Sequence, residues 1–281
     1  MNRFLSLGNV ARSATTNLMI KVPCRTYIRP HYYNNSLSEA VRQQQNPLKR
    51  ISRRLNNMDP NKVLWTIIGT NLGVFLVWTY AKNSYSQFGD ARWLNFMYRH
   101  FTVSEASFDS GRYYTLLTSA FSHNLLPHLG MNMFVLYSMG QGVLEAIGPS
   151  RFLLLYAGAG LCASLTTLAY KKYIRPSLER SKYGYHQRGR HEFSLGASGS
   201  IMGLTSFFAC AFPRATFLVF FIIPMPAFAC VGLFAAYDIY LASSLNSGII
   251  DSAAHVGGAA YGLGYWFLRV RPLLKAGRWR V

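Results

Sequence analysis

Cysteine and charged side chains are scarce in this chain of 281 residues. The four cysteines lie far apart, and no CxxC pair or cluster of cysteine and histidine occurs. This spacing argues against a disulfide framework and a metal site, so we expect free thiols at Cys24, Cys162, Cys210 and Cys230. Charged residues make up only 14% of the sequence, against 51% hydrophobic residues. That balance is unusual for a water-soluble domain and indicates a membrane protein.

Acidic residues are also few, and 29 Lys and Arg against 10 Asp and Glu give a net charge of +19. Such an excess can indicate nucleic-acid binding. Here the basic residues lie in the N-terminal segment, between apolar runs and in the tail from Arg269 to Arg280. No basic stripe with interleaved aromatic residues occurs. We therefore expect the basic residues to face the headgroups of a lipid bilayer, and we expect no nucleic-acid partner.

Residues 1–60 contain eight Arg and two Lys but no acidic residue before Glu39. The segment also lacks the continuous apolar core, roughly 7 to 15 residues long, of a secretory signal. This composition predicts a mitochondrial targeting segment, with a disordered basic tail as the alternative. Residues 43–54 indicate a polar linker that ends in a basic cluster beside the membrane.

Apolar runs fill most of the remaining chain, each close to the roughly 20 residues that cross a hydrocarbon core. They predict an all-α, polytopic membrane domain over residues 61–270, followed by a short basic tail at 271–281. A polar segment of residues 82–122 follows the first run, and a basic loop of residues 171–194 follows the third. The six predicted spans are residues 63–81, 124–147, 152–170, 196–212, 216–241 and 252–268.

The even number of predicted spans places several strongly polar residues near the same face of the membrane. Six crossings put both termini on one side, so spans two, four and six all begin at the opposite face. His128 and Asn132 lie four residues apart near the start of span two, Ser198 starts span four, and His255 lies one turn into span six. Polar residues inside spans are costly and commonly face a cavity or a partner. We therefore expect these side chains to meet at one depth.

Two glycine patterns favour the same convergence. Gly199 and Gly203 in span four, and Gly258 and Gly262 in span six, form GxxxG faces on which helix backbones approach closely. Taken alone, each feature has an ordinary structural explanation, because a membrane serine commonly packs and a membrane histidine commonly bonds another helix or binds a cofactor.

Together these residues have the chemistry for hydrolysis through an acyl enzyme. A serine hydroxyl needs an adjacent base, which the neutral imidazole of His255 can supply to Ser198. The developing oxyanion needs hydrogen-bond donors, and the Ser198 amide, His128 and the Asn132 carboxamide are suitable types.

Three motifs carry a resemblance to a known family. Residues 196–199, GASG, resemble the GxSG motif of rhomboid proteases, and residues 128–132, HLGMN, resemble their HxxxN motif. Residues 254–262 resemble their AHxxGxxxG motif. The resemblance covers roughly residues 60–268, and the phrases GASGSIMG and DSAAHVGG are most similar to the mitochondrial, presenilin-associated rhomboid-like branch.

The resemblance implies a six-transmembrane-helix rhomboid bundle in the mitochondrial inner membrane. It implies that Ser198 attacks the scissile carbonyl, that His255 acts as base and then acid, and that His128 and Asn132 help to form the oxyanion hole. It implies no cofactor. The substrates would be single-pass membrane proteins cut in or near their transmembrane segment, in this branch a dynamin-like inner-membrane GTPase and other imported proteins.

Some positions depart from the family pattern or stay open. Met202 stands where many bacterial rhomboids have a tyrosine that stacks on the catalytic imidazole, so we expect the imidazole to be held differently. Asp251 lies four residues before His255 and could complete a triad, or it could cap or pair at the start of span six. Four other histidines are expected to be solvated or interfacial and without catalytic roles: His100, His123, His186 and His191.

Two other functions remain as alternatives. An inactive rhomboid relative would bind membrane clients without cutting them, and a transporter or channel would use His128 and His255 as an ion pathway. The face carrying both termini would hold 18 of the 29 Lys and Arg, which favours termini in the matrix and a pocket open to the intermembrane space.

Overall fold

A computed structural model describes residues 47–183, 193–219, 222–244 and 251–277, and these ranges are mainly α-helical. The twelve α-helices of the described ranges are α1 (Pro47–Asn56), α2 (Pro60–Phe88), α3 (Arg92–His100), α4 (Glu105–Asp109), α5 (Thr115–Thr118), α6 (Leu126–Ile147), α7 (Pro149–Ala169), α8 (Arg175–Tyr183), α9 (Ser198–Ala211), α10 (Ala227–Ser244), α11 (Ser252–Tyr265) and α12 (Arg271–Lys275). Two strands, β1 (Thr216–Val219) and β2 (Ile223–Pro226), form a hairpin.

Three helical segments are long and apolar enough to cross a membrane: Pro60–Phe88, Pro149–Ser181 and Ala227–Ser244. They correspond to predicted spans one, three and five, and they confirm the prediction of an α-helical, polytopic membrane domain. The other predicted spans correspond to α6 and α9, which are 22 and 14 residues long, and to α11, which continues through a π-helical turn, Trp266–Val270, into α12. The targeting prediction for residues 1–46 lies outside the described residues, together with Cys24. The other three cysteines are free thiols.

The predicted polar linker is partly wrong, because residues 47–56 form helix α1. Leu48, Ile51 and Leu55 recur at helical spacing along it, between basic residues. The helix docks on the start of α7, where the Asn56 carboxamide oxygen accepts from the Ser150 amide at 3.0 Å. This contact satisfies one of the amides that a helix start leaves without an intrahelical partner.

Helix boundaries around span three follow the expected break and then extend beyond it. Gly148 adopts φ 78° at the end of α6, and Pro149 occupies the first turn of α7, as the sequence predicts. The predicted loop is wrong over residues 171–183, since a π-helical turn, Tyr170–Ile174, connects α7 to α8. The i→i+5 bonds of that turn precede Pro176, whose missing N–H disfavours a regular helix.

The start of predicted span five is also wrong. Strand β1 pairs antiparallel with β2, and helix α10 begins only at Ala227, whose amide donates to the Ala215 carbonyl at 2.8 Å. Pro224 and Pro226 exclude a regular helix here, while the neighbouring aromatic and branched residues suit strands. Phe217 anchors the hairpin in the main core.

Helices α7, α9 and α11 pack directly against one another, and small residues permit the close contacts. An added Cβ at Gly258 would lie 1.9 Å from the Gly199 carbonyl oxygen, and one at Gly262 would lie 2.1 Å from that of Gly203. On the other side, a Cβ at Gly203 would lie 2.3 Å from the Ala159 Cβ. The expected close approach of the two glycine faces is therefore confirmed.

Candidate active site

The contact between α9 and α11 brings together the backbone segments that carry Ser198 and His255. Gly199 follows Ser198, and Ala254 precedes His255. An added Cβ at Gly199 would lie 3.4 Å from the Ala254 carbonyl oxygen. Ser198 and His255 are both partly exposed, whereas Gly199 and Gly258 beside them are buried. The two helices therefore hold the serine and the histidine at the open edge of a tight interface.

The backbone before Ser198 requires glycine. Gly196 has φ 135°, a conformation that other residues rarely adopt, and a Cβ there would lie 2.8 Å from His128 Cε1. The same Cβ position lies 3.3 Å from His128 Nε2 and 3.7 Å from Ser198 Oγ. His128 and the Ser198 hydroxyl thus converge on Gly196, which explains the first glycine of the GASG sequence.

The segment leading to Ser198 is fixed by the long polar stretch after α2. Ser194 and Val103 exchange two backbone hydrogen bonds of 2.8 and 2.9 Å. The Gly196 amide donates to the Ser119 carbonyl at 2.9 Å. This stretch therefore sets the position of the serine, in addition to any contact with the membrane interface.

His123 also holds this segment, so the expectation that it is solvated is wrong. Its side chain is fully buried, and its Nε2 accepts from the Ala197 amide at 3.3 Å. Burial lowers the pKa of His123 to about 3, with a smaller effect from neighbouring His128. His100 is partly exposed and bonds Tyr114, and His186 and His191 lie outside the described residues.

Asn132 lies on the expected face of α6 but serves its own helix in this conformation. Its side-chain nitrogen donates to the His128 carbonyl at 2.9 Å, and the residue is 7% exposed. One of the two amide hydrogens is thereby used. The second remains for the predicted part in oxyanion binding.

Asp238 is the residue that the sequence interpretation missed. It lies on α10, is 6% exposed, and places its two carboxylate oxygens 3.1 and 3.0 Å from His255 Nδ1. A sequence signal did exist, because Asp238 is the single acidic residue within predicted span five and buried acids in spans need a partner.

Asp251 instead caps α11, which confirms one of its two interpretations. Its carboxylate accepts from the Ala254 amide at 3.0 Å and from Thr167 Oγ1 at 2.9 Å, and it also bonds the Ser194 hydroxyl. The carboxylate beside His255 therefore belongs to α10 and not to the residue four positions upstream.

A polar cavity lies beside Ser198, between α7, α9 and α11. Ser200 also lines it, and its buried hydroxyl has no protein hydrogen-bond partner among the described residues. The other polar residues of the lining are Ser119, Ser164, Thr167, Ser194 and Asp251. Such a lining offers the several hydrogen-bond partners that a buried water molecule needs.

Comparison with known proteins gives concordant results. The chain is 31% identical over 229 residues to "Rhomboid protein 1, mitochondrial" of Saccharomyces cerevisiae, covering 78% of this chain and 59% of that protein. It is 31% identical over 226 residues to "RHOMBOID-like protein 12, mitochondrial" of Arabidopsis thaliana, covering 80% and 62%. It is 28% identical over 220 residues to "Presenilin-associated rhomboid-like protein, mitochondrial" of Homo sapiens, covering 77% and 51%.

These alignments span about half to three fifths of the length of the relatives. The family pattern described as "Rhomboid domain" matches residues 110–272, which is more than half of this chain. The match includes all three motifs, and the fold brings those motifs to one cluster on α6, α9 and α11. On this combination, the chain belongs to the rhomboid family.

Proposed function

We propose that this protein is an intramembrane serine endopeptidase that cuts single-pass membrane proteins in or near their transmembrane segment. The observation that supports the proposal is the close backbone contact of α9 and α11, where Gly199, next to Ser198, approaches Ala254, next to His255. A serine alone would be an ordinary packing residue at a membrane helix interface, but a histidine inside a span is costly and commonly faces a cavity or a partner. Here Ser198 and His255 stand at the open edge of the interface.

The proposed reaction begins when Ser198 Oγ attacks the scissile carbonyl carbon and its proton passes to His255 Nε2. Collapse of the tetrahedral intermediate breaks the C–N bond, and His255 gives that proton to the departing amine. A water molecule then attacks the acyl carbon while His255 takes its proton, and the ester C–Oγ bond breaks as His255 returns that proton to Ser198 Oγ. The products are a carboxylic acid, an amine and restored Ser198.

Donors for the oxyanion come from the start of α9 and from α6. First-turn amides, such as that of Ser198, lack intrahelical acceptors and point along the positive end of the helix dipole. His128 lies against the Gly196 turn, and Asn132 retains one amide hydrogen. The polar cavity beside Ser198 is the proposed source of the hydrolytic water.

We place this activity in the mitochondrial inner membrane, with residues 1–60 acting as the targeting segment. The mitochondrial names of the relatives and the basic, acid-poor N-terminus support this location. Six spans remain the proposed topology. By resemblance, the proposed substrates include a dynamin-like inner-membrane GTPase and other imported proteins with one span.

The test is cleavage of a reporter with one transmembrane segment by the purified protein in liposomes. We expect wild-type protein to cleave, and we expect Ser198→Ala and His255→Ala each to lose at least about 1,000-fold in kcat, because each removes one half of the reacting pair. Ser206→Ala is the matched control, since Ser206 is a buried serine on the same helix, two turns further on.

The inactive-relative alternative gives a different result. If wild-type protein cut no reporter and a fluorophosphonate failed to label Ser198, client binding without cleavage would replace the protease proposal. A transporter would give an ion flux that survives Ser198→Ala.

A further inference from the structure

We propose that Asp238 is a positioning residue of the active site, which holds the His255 imidazole and makes the proposed dyad work as a triad. This inference rests on the proposed protease function. It concerns a residue on α10, outside all three family motifs, and it differs from the Asp251 triad that the sequence suggested.

The geometry fixes the tautomer of His255. Both Asp238 carboxylate oxygens lie within 3.1 Å of His255 Nδ1, so this nitrogen donates its N–H to the carboxylate. The proton-free lone pair is then on Nε2, at the other edge of the ring. That nitrogen is the atom that must accept the proton from Ser198.

The burial of Asp238 supports a functional reason for its contact with His255. Asp238 is 6% exposed on one of the helices that are long and apolar enough to cross a membrane. A buried carboxylate on such a helix destabilises the folded protein considerably unless a partner compensates its charge. When His255 takes the proton from Ser198 it becomes an imidazolium, and the charge of Asp238 stabilises it at that step.

Other groups around His255 do not supply this function. His128 on α6 is a second imidazole and has no negative charge to offer, and the Asp251 carboxylate is engaged by Ala254, Thr167 and Ser194. Among the described residues, Asp238 is the side chain that bonds the His255 ring, and it therefore provides the support that orients the imidazole.

The competing explanation is that the pair merely ties α10 to α11. The two functions separate in Asp238→Asn, which keeps the shape but loses the charge. If Asp238 positions the base, kcat falls by about 100-fold or more while KM stays within about threefold, since the substrate contacts remain.

Tyr170→Phe is the matched control for a tether. The Tyr170 hydroxyl donates to the Ala242 carbonyl at 2.6 Å and so joins the end of α7 to α10, one turn beyond Asp238. This variant is expected to lower the melting temperature while leaving kcat and KM as in wild type. An Asp238→Asn protein that behaved like Tyr170→Phe would overturn the proposal.

A measurement that does not depend on turnover completes the test. In ¹⁵N-histidine-labelled protein, with His255→Gln used to assign the signal, we expect the Nδ1–H tautomer in wild type and a shift toward Nε2–H in Asp238→Asn. An unchanged tautomer would overturn the proposal. If wild type has the Nδ1–H tautomer but neither cleaves nor reacts with fluorophosphonate, the proposed function fails while the positioning of the ring stands.

Discussion

A buried imidazole explains how Ala197, the residue before Ser198, is held. His123 accepts the Ala197 amide through Nε2, which requires a neutral ring with its proton on Nδ1. Protonation would convert Nε2 into a donor facing another donor. The neutral form of His123 is therefore part of the folded structure around Ser198.

We predict a pH dependence of stability from this histidine. Its folded pKa of about 3 lies below that of an exposed histidine, so the unfolded chain binds an additional proton between about pH 6.5 and pH 3. The contribution of neutral His123 to the free energy of unfolding is full above about pH 6.5 and declines as the pH falls. At pH 5.5 we expect a loss of about 1 kcal/mol relative to pH 7.5, measured as melting temperature in detergent.

His123→Gln is the control for that prediction, because a carboxamide oxygen can accept the Ala197 amide and does not titrate in this range. We expect the melting temperature of the variant to fall less steeply between pH 7.5 and 5.5. Parallel slopes for the two proteins would show that His123 is not the responsible group.

At the scale of residues, the sequence identifies site residues that belong to a motif. It misses residues such as Asp238 and His123, whose importance depends on contacts with distant parts of the chain. Ser198, His255 and His128 stand in recognisable spacings, and the fold brings them together. Asp238 reaches His255 across 17 positions, and His123 reaches Ala197 across 74. No local pattern encodes either pairing, although a lone acid in an apolar run was a usable warning.

At the scale of elements, the interface of α9 and α11 is the part of the fold on which the site depends most directly. The backbone of Gly258 packs against that of Gly199, so any side chain at 258 forces the helices apart. Displacements of this size matter because a misplacement of about 1 Å can reduce catalysis by roughly 100-fold.

We therefore predict that Gly258→Ala lowers reporter cleavage by about 100-fold and destabilises the fold by about 1–3 kcal/mol or more. Gly264→Ala is the matched control, because Gly264 lies on the same helix with open space around its Cβ position. We expect that control to keep wild-type activity. Equal effects of the two substitutions on cleavage would contradict the importance of the contact.

The sequence predicts helices and helix breaks correctly where local residue patterns determine them. It fails at helix ends and turns that depend on backbone hydrogen bonding. The GxxxG faces and the Gly148 and Pro149 break follow from local chemistry, and the structure has them. Hairpin β1–β2 resembles the beginning of a span in composition, since strands and membrane helices share branched and aromatic residues. The π-helical turn before Pro176 depends on backbone bonding that composition does not specify.

For the whole molecule, the length of α9 explains how the proposed site could lie within a membrane. At 1.5 Å per residue, the 14 residues of α9 span about 21 Å, short of a ~30 Å hydrocarbon core. If α9 ends near one face of the membrane, it therefore begins below the other face. Ser198, at that beginning, and the first turn of α11 that packs against it would lie at the bottom of a depression open to water.

The proposed topology predicts which positions share a side of the membrane. Asp109 lies exposed in the polar stretch beside the site, and Lys275 lies exposed in α12 near the C-terminus, so six crossings place them on opposite faces. We introduce Asp109→Cys or Lys275→Cys into protein lacking its native cysteines, and treat mitochondria whose outer membrane is ruptured with an impermeant maleimide. We expect Asp109→Cys to be labelled at once and Lys275→Cys only after solubilisation.

The two possible errors in that topology give different patterns. If only Lys275→Cys reacts before solubilisation, the crossing number stands and the orientation is reversed, which would place the site in the matrix. If both cysteines react from the same side, the number of crossings between them is even, and the six-span topology is wrong. Retained cleavage of the reporter by each variant ensures that the labelled protein is folded, because the site depends on α6, α9 and α11 packing together.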